Sequence, residues 1–472
     1  MTDAENPESA ENAGASEPTR RLARFVSTLT YDDLDEPTLD ATRNALVDTI
    51  GACYAGARTD AGSLMLKYTV TFKGDAATVV GRDQRTVPHI AALANGTTAH
   101  ALDVDDGHRG ASAHPGSPVI PAALALAEAH GADGPQLLAA TVAGYEAVVA
   151  TAVAVQPSHR ERGFHATATA GCFGAAAASS RVLGLDETRT AHALGLAGTQ
   201  AGGLFEFLAK GSMSKRFHPG RAAMAGVMAA ELAATGFDGP DTILGGEDGF
   251  LNAFADTNDR TPFERLGDPF AVTETYLKPY PCCRHIHGPI DAVLAMRAEG
   301  LSPDDVASIR VETYGLAARH DNTAIENLLD AQMSLPFGVA VALVTGDASL
   351  ARFAPENAAD NDVSRLLDCI SVVETDAMND LYPETRPATV VVETTTGERL
   401  DRLVRHPLGG AESPLSAAAV EEKFRDLSEG ALDPETCESV LDALWSVDEC
   451  ADVATIGAKI GGRADTPIGG EE

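Results

Sequence analysis

Lysine is almost missing from this chain. Across 472 residues it occurs only at Lys67, Lys73, Lys210, Lys215, Lys278, Lys423 and Lys459, and arginine supplies the rest of the 35 basic residues. Set against 69 acidic residues, they leave a formal net charge of -34. That sign excludes a general nucleic-acid binder, because phosphate contacts need basic surface. It also repels a small polyanionic substrate unless a local basic pocket offsets the field. An acidic exterior stripped of lysine fits a halophilic protein, kept soluble in high salt by its charge. Lys210, Lys215 and Lys278 persist in glycine- or proline-marked segments and are the lysines to follow.

Other absences narrow the field further. The cysteines, Cys53, Cys172, Cys282, Cys283, Cys369, Cys437 and Cys450, are scattered and form no CxxC pair. A zinc ribbon or disulfide framework is therefore not expected, and reduced thiols in a cytoplasmic protein are. The opening "MTDAENPESAENAGASEPT" has no basic region followed by an apolar run. It is not read as a signal peptide but as a disordered acidic tail over residues 1–18. No stretch of about 20 apolar residues escapes charge or glycine, so no membrane segment is expected. G-x-S-x-G, G-x-G-x-x-G after a strand, and a P-loop are all missing. Serine-hydrolase chemistry and a nucleotide cofactor are unsupported, and no cofactor is expected.

What is present is alanine-rich and helical in period. From 19 to 270, segments such as "EPTLDATRNALVDTIGACYAGA", "SPVIPAALALAEAH" and "GRAAMAGVMAAELAATG" place apolar residues three and four apart. "DAATVVGR" is a short strand candidate. Small residues permit close helix approach, so the reading is a tightly packed helical domain. From 271 to 409 the character changes. "VASIRVETYG", "CISVVETD" and "PATVVVETTTGERLDRLVR" are β-branched runs of strand length, the last with a hairpin turn at "TTTGE". Residues 410–460 return to helix, and 461–472 form a loose tail. The expected fold is mainly α: a large all-helical domain, built in two chain segments, plus a smaller α+β domain.

Four segments carry the candidate chemistry. "HALDVDDGHRGASAHPGSP" crowds His100, Asp103, Asp105, Asp106, His108 and His114 between apolar helices. Calcium is disfavoured because Gly107 falls on an alternate ligand position and no glutamate closes the loop. A transition-metal site lacks paired helical ligands. A helix end and polar turn, with aspartates capping the next helix, accounts for part of the pattern. "GFHATATAG" sets His165 at the start of a small-residue helix, either as a polar cap or beside an anion site. "AKGSMSKRFHPGRAAMAG" gathers Lys210, Lys215, Arg216, His218 and Arg221 in an otherwise acidic chain, ahead of a helix. "LKPYPCCRHIHGPIDAV" brings Lys278, Arg284, His285 and His287 into another, with Cys282 and Cys283 read as packing residues. Converging, such loops would bind a multiply charged carboxylate and move protons, a task suited to histidine.

At these segments the sequence resembles the MmgE/PrpD family, which includes 2-methylcitrate dehydratase, cis-aconitate decarboxylase and iminodisuccinate epimerase. "HALDVDDGH…HPGSPVIPAALALAE", "GSMSKRFHPGRAAMAGVMAAELAATGFDGPDTILGGEDGF" and "KPYPCCRHIHGPIDAV" carry the likeness, which runs from about 20 to 460. The resemblance implies a large helical domain made from both chain ends, a smaller α+β lid, a homodimer, and a metal-independent site at the domain interface. It implies that Asp103, His114, His165, Lys215 and His287 line that site. In the implied mechanism His165 or His114 removes a proton beside a carboxylate, and His287 or Lys215 supplies one. Lys215, Arg216 and Lys278 hold carboxylates, and Asp103 orients a histidine. The family often has threonine where this chain has Gly107. Dehydration of 2-methylcitrate or a similar citrate, as in propionate metabolism, is the first activity implied. Cis-aconitate decarboxylation and iminodisuccinate epimerisation are the alternatives, and "SMSKRFHPG" looks more like those branches. A non-enzymatic, anion-binding helical protein is the reading outside catalysis.

Overall fold

The structure, a computed structural model, describes residues 17–209 and 212–462. The expected tails lie outside the described residues except for positions 17, 18, 461 and 462, and Lys210 lies outside them too. The architecture is mainly α. In chain order the principal elements are α1 (Pro18–Thr28), α2 (Glu36–Gly56), β1 (Ala77–Thr78), β2 (Arg85–Thr86), α3 (Pro88–Ala99), α4 (Gly116–His130), α5 (Gly134–Val153), α6 (Ala166–Val182), α7 (Glu187–Gly198) and α8 (Ser214–Ala234). Then come α9 (His287–Ala298), β3 (Val306–Thr313), α10 (Leu335–Thr345), β4 (Ile370–Glu374), β5 (Ala388–Thr394), β6 (Arg399–Val404), α11 (Ala417–Ser428) and α12 (Pro434–Trp445). Two compact units divide the chain: residues up to Tyr276 together with those from Val420 onward, and Leu277–Ala419.

In the first unit the central helices pack as α5 on α6, α6 on α8, and α8 on α3. Alanine and glycine make this closeness possible. A β-carbon at Gly226 of α8 would stand 2.4 Å from the Ala175 β-carbon of α6, and one at Gly220 2.3 Å from the Leu93 carbonyl oxygen of α3. Glycine at these two positions sets the interhelix distance. The start of α5 is fixed by a reciprocal cap, in which Asp133 accepts from the Gln136 amide and Gln136 accepts from the Asp133 amide. By length and apolarity α5 qualifies as a membrane-crossing helix, but 89% of its apolar window is buried within the fold.

Two local expectations differ. "DAATVVGR" yields only the two-residue strand β1, paired antiparallel with β2. The third basic segment does not precede its helix: α8 begins at Ser214, so Lys215, Arg216 and His218 lie inside it. Pro219 forfeits only one hydrogen bond, to the Lys215 carbonyl, and the helix continues past it.

The second unit is built on a four-stranded sheet of order β4-β3-β5-β6, with β3 and β4 parallel and the other pairs antiparallel. Parallel pairing of β3 and β4 requires a long crossover, and α10 lies within it. The β5–β6 turn closes where "TTTGE" predicts it, with Gly397 at φ +85°. Ile286, Ile290, Phe337, Val339, Val341 and Val390 anchor the core of this unit.

Candidate active site

The loop between α3 and α4 carries a buried charge network. His100 terminates α3, and its Nδ1 donates to Asp105 Oδ2 at 2.8 Å. The same carboxylate oxygen lies 3.4 Å from His114 Nδ1, so Asp105 stands between two imidazoles. Asp103 adopts φ +58°, a left-handed turn that aspartate tolerates better than most side chains. That turn aims its Oδ1 at Lys215 Nζ, 3.0 Å away, and toward His114 Nε2 at 3.8 Å. The His100 and His114 rings meet edge to face at 4.7 Å between centroids. Asp106 turns the other way: it accepts from the Gly116 amide at 3.0 Å and from the Tyr145 hydroxyl at 2.7 Å. It caps α4 and thereby fixes His114, which lies two residues before that helix.

His165 occupies the N-cap position of α6, though its side chain does not cap the helix. Its ring lies 6.1 Å from that of His100, and Phe205 and Phe207 stand edge-on to it. Its Nδ1 meets His218 Nδ1 of α8 at 2.9 Å. Burial holds the His165 imidazole well below its ordinary pKa, with nearby His100, His218 and Lys215 acting in the same direction. Burial likewise lowers His218 to about 4, and lowers His100 against the opposing pull of Asp105. These rings are therefore neutral at pH 7, and a bare imidazole nitrogen is a base.

Thus Asp103, His114, Lys215 and His165 come together in the first unit. Arg216 is partly buried on α8 beside Lys215. Lys278 and His287 belong to the second unit, where both are buried. His287 Nδ1 accepts from Arg284 Nη1 at 3.0 Å, and its Nε2 faces the Cys282 carbonyl at 3.3 Å. Arg284 in turn donates to the Leu408 and Pro407 carbonyls at 2.6 and 2.8 Å. Cys282 is packed into the core of this unit, and all seven cysteines are free thiols.

His100, Asp103, Asp105 and His114 each offer a metal-ligating atom within 4.8 Å of the others. The donor set suits a divalent cation, but the Lys215 ammonium already sits on Asp103, and the His100 N–H on Asp105. The fit is therefore poor: a metal would have to displace both.

The sequence places His100 and Asp105 in the crowded loop and His218 in the basic patch favoured for anion binding, but it gives a catalytic role to none of them, nor to Tyr276. His100 and Asp105 were visible in the crowded loop, and His218 lies three residues after Lys215, on one face of a helix. Tyr276 had no signal. It pairs with Gly107 through two backbone hydrogen bonds, of 2.9 and 2.8 Å. A β-carbon at 107 would fall 2.4 Å from the Tyr276 hydroxyl. The glycine at this position is what admits the phenol.

Comparison with known proteins gives a consistent result. Residues 20–262 match the MmgE/PrpD N-terminal domain and residues 280–447 match the MmgE/PrpD C-terminal domain. Among curated relatives, the cis-aconitate decarboxylase-like protein oryM of Aspergillus oryzae is 29% identical over 475 residues, covering 94% of this chain and 97% of that protein. Cis-aconitate decarboxylase of Aspergillus terreus is 27% identical, covering 95% and 97%. The Homo sapiens cis-aconitate decarboxylase is 26% identical, covering 93% of each chain. With family matches spanning both halves of the sequence, the chain belongs to the MmgE/PrpD family.

Proposed function

We propose that this protein is a carbon–carbon lyase that decarboxylates cis-aconitate or a close tricarboxylate analogue. The relatives' names support this reading over 2-methylcitrate dehydration, the activity put first from sequence. The observation that carries the chemistry is the pair of buried Asp103 and half-buried Lys215 beside His114 and His165. It offers a cation for a carboxylate and imidazoles for a proton.

In the proposed reaction the bond between the methylene carbon and its carboxylate breaks, and carbon dioxide leaves. The electron pair forms a new methylidene double bond. The original double-bond pair moves to the carbon beside a remaining carboxylate and is protonated there. One proton is consumed and the product is a dicarboxylate. Lys215, with Arg216, holds carboxylate charge, and Asp103 fixes the lysine. His165, neutral at rest, takes up a proton from solvent at its bare nitrogen and delivers it to the carbon, with His114 as the second donor. His287, with both ring nitrogens engaged, is proposed to hold Arg284 rather than to transfer protons. The test is a panel of cis-aconitate, 2-methylcitrate, citrate and iminodisuccinate in molar salt, with products read by NMR. Turnover of cis-aconitate above the others is expected. Preferential loss of water from 2-methylcitrate, or epimerisation of iminodisuccinate, overturns the reading.

A further inference from the structure

Two neutral imidazoles that meet through the same kind of nitrogen must divide their protons unequally. His165 Nδ1 and His218 Nδ1 lie 2.9 Å apart, both buried, so one carries hydrogen and the other a lone pair. The two rings therefore hold opposite tautomers. Suppose His218 were the donor. The Nε2 of His165 would then hold the hydrogen, and giving it up would leave an imidazolate, far too basic to form near neutrality. Suppose instead that His165 donates. Its Nε2 is then bare, and a proton can enter and leave there while the Nδ1–H bond to His218 stays in place.

We propose that His218 is a positioning residue that accepts the His165 Nδ1–H and so presents the bare His165 Nε2 as the nitrogen that carries the reaction's proton. In the acid form His165 holds hydrogen on both nitrogens, and its charge is stabilised through the bond to His218. After Nε2 gives its proton to the substrate carbon, the neutral pair returns to the starting tautomers and is recharged from water. A carboxylate in the place of His218 would hold the same tautomer but would shift the imidazole toward its charged form. A neutral imidazole lets it cycle. The groups facing the pair are His100, His114, Lys215 and Arg221, with Phe205 and Phe207 excluding water from one side.

The proposal rests on the proton-transfer reading, and its test separates the two. In substrate-free protein labelled with 15N-histidine, long-range 15N–1H spectra should show His165 as the Nδ1–H tautomer and His218 as the Nε2–H tautomer. The reverse assignment overturns the proposal, whatever the substrate proves to be. Absence of cis-aconitate turnover with the expected tautomers leaves the pair intact and removes only the substrate. Among variants, His218→Phe should lower kcat by about 10²-fold or more with KM little changed. His218→Asn, whose Oδ1 can accept the same bond but cannot titrate, should restore most of that loss. Wild-type kcat in His218→Phe, or no rescue by asparagine, contradicts the assignment.

Discussion

Burial pushes the Asp106 carboxyl up to about 8, against the hydrogen bonds it accepts from Tyr145 and the Gly116 amide. The folded protein therefore keeps a proton that the unfolded chain releases near the ordinary value of about 3.9. The stability this confers is complete below about pH 4 and is lost as pH rises through about 8. Asp106→Asn keeps an acceptor for Gly116 but has nothing to ionise. Its melting temperature relative to the parent should climb between about pH 5 and about pH 9. A constant difference across that range would show that Asp106 does not titrate as described. The His165 imidazole gives a catalytic prediction. His165→Ala should cut turnover by about 10²–10⁴-fold with unchanged circular dichroism, and parent-like turnover removes His165 from the mechanism.

At the scale of elements, helix α11 reaches into the loop between α3 and α4 through one of the few lysines. Lys423 Nζ is ion-paired with Asp48 of α2, which is fully buried, and donates to the Val104 carbonyl at 2.7 Å. Val104 lies between Asp103 and Asp105, so α11 braces the left-handed turn that aims Asp103 at Lys215. Lys423→Met leaves a buried carboxylate without its cation and should cost about 3–5 kcal/mol in denaturant unfolding. Adding Asp48→Asn should return part of that loss, and simple additivity of the two changes would rule out the pairing. None of this was legible from sequence, because residues 48, 104 and 423 share no local pattern. The strands were legible: "VASIRVET" and "ATVVVET" concentrate β-branched residues, and the glycine in "TTTGE" marks the hairpin. The start of α8 was not, since Gly211 and Pro219 read as punctuation although the helix runs through Pro219. Misplacing that start hid the i, i+3 relation of Lys215 to His218. The polar residues of the 100–118 loop stand out because the helices around them are apolar, which makes Asp103 and His114 legible in the sequence.

For the whole molecule, the dominant quantity is the net charge of -34. Self-repulsion at that charge opposes compaction, and salt relieves it as the screening length shrinks from about 10 Å at 0.1 M to about 3 Å at 1 M. We propose a salt-requiring cytoplasmic protein. Its melting temperature should rise steeply between 0.1 and 2 M potassium chloride, and a flat response overturns the proposal. A homodimer, implied by the family resemblance, is proposed as well, and a monomer mass by light scattering in molar salt contradicts it. The same field repels a tricarboxylate in dilute salt, so KM should fall as salt is added until screening is complete.

On the proposed reading, the His165 imidazole, neutral at rest, takes up one proton and passes it to a carbon of a small organic acid that Lys215 holds. That transfer is read by following cis-aconitate with the purified protein in deuterated water by NMR. Release of carbon dioxide is expected, with a product carrying one deuterium on the carbon that received the proton and both signals lost in the His165→Ala variant. Unchanged cis-aconitate, or deuterium exchange without carbon dioxide, would contradict it.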